Sequence, residues 1–145
     1  MESMKTERIV VLEATMDDAD GKTLAYTVER LLAEGALDAY LVPAVMKKGR
    51  PGHTLTALTK PEDAERLAHV MFEETPTLGV RITETKRFVL PRRIVTVRTP
   101  YGAVRVKVTA LGAEPEYEDC AALARKNKVA LRKVIGGARR ARNQF

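Results

Sequence analysis

Ala39-Tyr40-Leu41-Val42-Pro43-Ala44-Val45-Met46, Lys47-Lys48-Gly49-Arg50-Pro51-Gly52 and Thr54-Leu55-Thr56-Ala57-Leu58-Thr59 are the stretches that decide the fold. The first is an apolar run of strand length. The second is a turn, because Gly and Pro interrupt both helix and strand. The third alternates as a strand does, so the three together predict a β-hairpin. Reading outward, Leu24, Val28, Leu31 and Leu32 recur at helical spacing before the hairpin. Asp20 is placed to cap that helix, predicted over residues 22–36, and Gly35 suits its end. After the hairpin, Pro61 fits the first position of a second helix whose buried face is Ala64, Leu67, Ala68 and Met71. Ile9-Val10-Val11-Leu12 predicts a buried strand ahead of the first helix. Residues 80–90, with Val80, Ile82, Phe88 and Leu90 alternating among charges, predict another after the second.

The resulting order is β-α-β-β-α-β, the split βαβ order, and the expected class is α+β with a ferredoxin-like core over residues 8–90. Residues 91–145 are expected to append a hairpin and a helical segment. The strands of that hairpin, Arg92 to Arg98 and Val104 to Val108, flank the turn Pro100-Tyr101-Gly102. A short helix over residues 116–126 carries Tyr117, Cys120 and Ala124 on one stripe, and Leu131, Val134, Ile135 and Ala138 mark a last one.

Composition excludes several classes. One cysteine, Cys120, and two histidines, His53 and His69, rule out an internal disulfide framework and a Cys- or His-rich metal site. Apolar runs stay far below the roughly 18 residues of a membrane span. Met1 to Arg8 is not a secretory leader, so a cytoplasmic protein without a membrane partner is expected. The net charge is +6, yet residues 125–145 hold eight Lys/Arg and no acid, leaving the first 124 residues at −2. Aromatic residues are 5%, too few for a base-stacking platform, and nucleic acid is not the expected partner.

Three clusters could carry chemistry. Glu13, Asp17, Asp18 and Asp20 place four carboxylates within eight residues, in an acidic loop after the first strand. Such oxygen ligands suit Mg2+ or Mn2+, and an acidic turn favoured by a helix dipole is the alternative. Lys47, Lys48 and Arg50, with Gly49 and Gly52, make a phosphate cradle without a Walker pattern, or else a solvated hairpin turn. Residues 81–107 contain eight Lys/Arg against the single Glu84, so Arg81 and Arg92 could meet an anion or merely face solvent. Cys120 sits on an apolar stripe and suits a buried thiol better than a nucleophile.

Seven motifs then fall in register: Glu13-Ala14-Thr15-Met16-Asp17-Asp18, Glu34-Gly35-Ala36-Leu37-Asp38, Met46-Lys47-Lys48-Gly49-Arg50-Pro51-Gly52, Glu74-Thr75-Pro76-Thr77-Leu78-Gly79-Val80-Arg81, Leu90-Pro91-Arg92-Arg93, Pro100-Tyr101-Gly102 and Pro115-Glu116-Tyr117-Glu118-Asp119-Cys120. In this order and at these spacings they resemble the C-terminal domain of the LarC family. That family inserts nickel into pyridinium-3,5-bisthiocarboxylic acid mononucleotide, giving the nickel-pincer nucleotide cofactor of lactate racemase. Coverage runs from about Glu13 to about Ala138 and includes no N-terminal domain of the family. Ala14 and Met16 depart from the more usual asparagine- and isoleucine-containing form of the first motif.

The resemblance implies a CTP-dependent cyclometallase, a lyase of the metal-chelatase type. Mn2+ or Mg2+ would ride on the nucleotide, with Ni2+ as the substrate metal. On the residues' own chemistry, Lys47, Lys48, Arg50, Arg81 and Arg92 are assigned to the phosphates and two of Glu13, Asp17 and Asp18 to the nucleotide's metal, and the catalytic residues stay open. A pyridinium mononucleotide substrate, an N-terminal partner chain of the same family and a homo-oligomer follow as expected partners. A nucleotide-binding assembly module and a basic RNA-binding domain stand as the other readings.

Overall fold

The computed structural model describes residues 4–141. Its elements are β1 (Lys5–Met16), α1 (Gly21–Ala33), β2 (Asp38–Val45), β3 (Pro51–Thr59), α2 (Ala64–Glu74), β4 (Arg81–Val89), β5 (Arg92–Thr99), β6 (Gly102–Thr109), β7 (Gly112–Pro115), α3 (Tyr117–Asn127) and α4 (Leu131–Ala141). The class is α+β, with two antiparallel sheets and four helices. The chain divides into one compact unit over Thr6–Arg87 and a second that takes in residues 88–141 with residues 4–5. No described helix is long and apolar enough to cross a membrane.

In the first unit the strand order is β2-β3-β1-β4, so β3 separates β1 from β2. The ladder sets Leu12 beside Ala57 and Ala14 beside Leu55, and β2 continues it with Ala39 beside Ala57. Side chains alternate across a strand. Val10, Leu12, Ala14 and Met16 therefore share one face, and they pack with Leu24 and Leu31 of α1 and Leu67 and Met71 of α2. Each of these fully buried leucines contributes about 1.5–3 kcal/mol. The opposite face carries Glu13, Thr15, Thr54, Tyr40 and Val42 with the buried Ile9 and Thr56, and lies away from α1 and α2.

Local chemistry sets the helix limits. The Asp20 carboxylate accepts from the Thr23 amide at 2.8 Å and the Thr23 hydroxyl at 3.0 Å, which hold it below the usual carboxylate range. The Ala36 amide closes on Leu31 O at 2.9 Å and the Gly35 amide on Leu32 O at 3.1 Å. That Schellman closure ends α1 at Ala33, three residues earlier than helical spacing alone predicts. Arg30 joins the two helices by pairing with Glu34 at 2.7 Å, Glu73 at 2.8 Å and Glu74. The three carboxylates, Glu34 foremost, raise its pKa.

Two expectations for this unit need correction. β1 does not end at Leu12 but runs to Met16, so Glu13 is a strand residue rather than part of a loop. Glu13 and Thr15 point to the face away from α1 and α2, where alternation places them. β4 lies at the sheet edge, and its apolar residues are not buried: Ile82 is 62% and Phe88 71% exposed.

In the second unit β5, β6 and β7 form a three-stranded antiparallel sheet. Val97, Val104 and Val106 pack with Cys120, Ala124, Val134 and Ala138. β7 was not expected, because Gly112-Ala113-Glu114-Pro115 is too short and too polar to alternate. Tyr117 leaves the apolar stripe of α3 and is exposed. The Arg105 amide and guanidinium make three bonds of 2.8–2.9 Å to Asp119, fastening α3 to β6. They hold the Asp119 carboxyl down to about 2.

Candidate functional site

The face of the first sheet away from α1 and α2 ends in a group of opposite charges. Glu13 and Thr15 project from β1 beside their ladder partners Thr56 and Thr54. The Thr15 and Thr54 hydroxyls are 2.9 Å apart. Arg81, at the start of β4, donates from Nη2 to Thr15 Oγ1 at 3.0 Å, and its Nε lies 3.9 Å from Glu13 Oε2. Just beyond β1, Asp17 Oδ2 lies 3.6 Å from Arg50 Nη1. Both arginines remain largely exposed, so their charges are open to a ligand.

Arg50 belongs to the turn that joins β2 to β3. The Met46 amide donates to Arg50 O at 2.8 Å and the Gly49 amide to Met46 O at 3.1 Å. A 3-10 turn at Lys47–Gly49 forms the tip, and Lys48 sits there in the left-handed region at φ 62°, ψ 20°. A lysine in that conformation costs about 1–2 kcal/mol. Gly52 lets the turn close on β1: an added Cβ would stand 2.7 Å from Met16 O and 2.3 Å from Met46 Sδ.

The structure thus gathers Glu13, Thr15, Thr54 and Arg81 on the sheet face and sets Asp17 and Arg50 at the strand end, with Lys47 and Lys48 in the adjoining turn. Asp18 is exposed in the bend after β1, and Asp20 rather than Asp18 caps α1. Arg92 belongs to the second unit, where it lines a cavity of about 340 Å³ with Pro91, Arg93, Val108, Thr109 and Ala110. No group of three or more His, Cys, Asp or Glu among the described residues is arranged to hold a metal by itself. Cys120 is buried and its thiol pKa is pushed up by that burial, which keeps it protonated and unsuited to metal. His69 is exposed on α2.

The Thr15 and Thr54 hydroxyls are the site residues that sequence reasoning missed. The signal was present in the alternation Glu13-Ala14-Thr15-Met16, which has strand period. Chemically, the group offers cations for phosphate oxygens, two carboxylates for a hard divalent ion and two hydroxyls for hydrogen bonding. Mg2+-type ions are held by one or two carboxylates with substrate phosphates and water completing the shell. Glu13 and Asp17 fit that role, though neither could serve in an all-protein cage.

Residues 1–135 match the family model described as nickel insertion protein. A relative from Dictyoglomus thermophilum is 42% identical over 139 residues, covering 93% of this chain and 36% of that protein. The pyridinium-3,5-bisthiocarboxylic acid mononucleotide nickel insertion protein of Acetivibrio thermocellus is 41% identical over 139 residues, 93% of this chain and 34% of its own length. The chain spans about a third of the length of these curated relatives. Among solved structures, the apo C-terminal domain of a cyclometallase involved in synthesis of the NPN cofactor of lactate racemase superposes with a TM-score of 0.85 at 37% identity. That match covers 96% of this chain and 99% of that one. A protein from Methanopyrus kandleri superposes with a TM-score of 0.60 at 28% identity, covering 95% and 92%.

Proposed function

The chain belongs to the nickel insertion protein family, and from that premise we propose that it is the nucleotide-binding, C-terminal part of a cyclometallase. The reaction is insertion of Ni2+ into pyridinium-3,5-bisthiocarboxylic acid mononucleotide, dependent on CTP. The remainder of the enzyme is its partner, either in the same chain or in a separate one. Lys47, Lys48, Arg50 and Arg81 receive the triphosphate. Glu13 and Asp17, with Asp18 beside them, hold the Mn2+ or Mg2+ that the nucleotide carries, and that ion supplies charge neutralisation at the phosphates. Arg92, in the second unit, offers a separate phosphate contact at the cavity it lines.

The observation that carries this reading is the pairing of the first unit's two candidate phosphate arginines with candidate metal carboxylates, Arg81 with Glu13 and Arg50 with Asp17. Exposed pairs at such distances are worth about 1 kcal/mol or less. A metal–triphosphate brings both charges at once, so the arginines can pass to phosphate and the carboxylates to the ion. Neither partner is left unpaired, and little is lost in the exchange. Nickel needs no thiolate from this chain, because the substrate's own two sulfurs and ring carbon provide its ligands.

The test is to incubate the chain with CTP, Mn2+, NiCl2 and the bisthiocarboxylate mononucleotide and to follow the mass of the nucleotide product. Nickel incorporation that stops without CTP supports the proposal. CTP binding without incorporation, cured by adding the rest of a relative's enzyme, favours the assembly-module reading, which the one-third coverage of the relatives recommends. Neither CTP binding nor incorporation under any condition refutes both.

A further inference from the structure

We propose that the cavity at the open end of the β5–β6 pair is the seat of the pyridinium mononucleotide substrate, gripped by Arg92 and Arg93 without a divalent ion. The proposal rests on the nickel-insertion reading above and adds a second ligand site to it, within the second unit. The cavity holds about 340 Å³, inside the range of about 300–1,000 Å³ common to small-ligand sites. The last rungs of the ladder set Arg92 beside Thr109 and Arg93 beside Val108, and Pro91 and Ala110 stand just beyond them. Consecutive strand residues leave opposite faces, so one guanidinium flanks the strand ends from each side.

The charge balance there defines the ligand. Both arginines are exposed, and neither pairs with a carboxylate among the described residues. Glu114, Glu116 and Asp119 of the same unit are engaged elsewhere, by Arg139, Lys107 and Arg105. No acidic residue lines the cavity. A hard divalent ion needs oxygen ligands that carry charge, and here it would meet two cations instead. The occupant is therefore an anion that arrives without metal, unlike the metal–triphosphate assigned to the first unit. The Thr109 hydroxyl is taken up in the following turn, accepting from the Leu111 amide at 3.2 Å and donating to Gly112 O at 3.3 Å. The anion is left to the two guanidiniums. Pro91 fixes the backbone just ahead of both, which lowers the cost of ordering them on binding.

The substrate's chemistry matches this site. A pyridinium-3,5-bisthiocarboxylate mononucleotide carries a phosphate and two thiocarboxylates around a flat ring. A guanidinium fork takes phosphate or a carboxylate-like group through two parallel bonds. Two such forks on opposite sides suit the separated anionic groups of one molecule better than a single phosphate. Pro91, Val108 and Ala110 give the ring an apolar surface.

The test is a calorimetric titration of the whole chain with the oxygen analogue, pyridinium-3,5-dicarboxylic acid mononucleotide, which keeps the charges and lacks the sulfurs that bind nickel. It should bind without Mn2+ or CTP, and added Mn2+ should leave its Kd unchanged. Arg92→Ala and Arg93→Ala should each weaken it about ten- to hundredfold. Arg92→Lys should recover only part of the loss, because an ammonium cannot make the paired bonds. Both side chains are exposed and unpaired, so Tm should stay that of the parent, and CTP with Mn2+ should bind all three variants normally. Inorganic phosphate should compete about tenfold less well than the analogue, having one anionic group to offer. Binding that requires Mn2+, that survives both alanine substitutions, or that inorganic phosphate displaces equally well would overturn the proposal. So would loss of CTP affinity in the arginine variants, which would put these residues on the triphosphate. A parent chain that ignores the analogue would overturn it too, while the nickel-incorporation assay decides the proposed function separately.

Discussion

Replacing Lys48 by glycine separates the stability of the β2–β3 turn from its proposed work. Lys48 occupies φ 62°, ψ 20°, a conformation that glycine adopts freely. Removing the side chain relieves about 1–2 kcal/mol of backbone strain. Glycine also raises the entropy of the unfolded chain, which gives back about 0.4–1 kcal/mol. Lys48→Gly should therefore be as stable as the parent or more stable by up to about 1.5 kcal/mol. The same change deletes a cation assigned to phosphate, and a charge-assisted hydrogen bond is worth about 1.5–3 kcal/mol, a ten- to hundredfold loss of affinity. Calorimetric titration with CTP and Mn2+, beside thermal unfolding of both proteins, reads the two effects separately. An unchanged Kd would refute the assignment to phosphate, and a fall in Tm would refute the strain argument, since lysine would then belong there for the fold.

Gly52→Ala should lower Tm by about 5–15 °C: the new Cβ meets the Met16 carbonyl at 2.7 Å, and overpacking of this kind costs about 1–3 kcal/mol. Gly21→Ala, with nothing within 4 Å of the added carbon, is the control and should be near neutral. Asp119→Asn should destabilise by about 1 kcal/mol at neutral pH, as expected for a partly exposed ion pair. Because folding lowers the Asp119 pKa from 3.8 to about 2, the stabilisation is complete above pH 3.8 and disappears as pH falls through about 2. Unfolding curves of the parent and this variant should converge there; a gap that persists at pH 2 counts against the pairing. Arg30→Ala leaves Glu34, Glu73 and Glu74 facing one another, so its Tm deficit should shrink between 0.05 and 1 M NaCl, conditions set by the roughly 14 Å and 3 Å reach of unscreened charge.

The element order was legible because the central hairpin carries its own punctuation and the flanking helices show their period. Strand limits were harder wherever one face carries polar side chains. Glu13 looks like a loop residue until the ladder with Thr56 shows it on the side away from the helices. Ile82 and Phe88 look like core until β4 proves to be an edge, a property of topology that no local pattern encodes. The basic turn was readable as a turn from its glycines and proline, and the structure places Lys47–Gly49 at its tip. What needed three dimensions was the pairing of Arg81 with Thr15 and Glu13, residues more than sixty positions apart that only strand adjacency brings together.

The most direct test of the nucleotide site is a calorimetric titration of CTP into the chain with and without Mn2+, repeated with Asp17→Asn combined with Asp18→Asn, and again with Arg50→Ala combined with Arg81→Ala. CTP should bind more tightly with Mn2+ than without it. The carboxylate pair should lose that metal dependence, and the arginine pair should lose affinity with or without the ion. CTP affinity that ignores Mn2+, or that survives loss of both arginines, would contradict a metal–triphosphate seated on this end of the sheet.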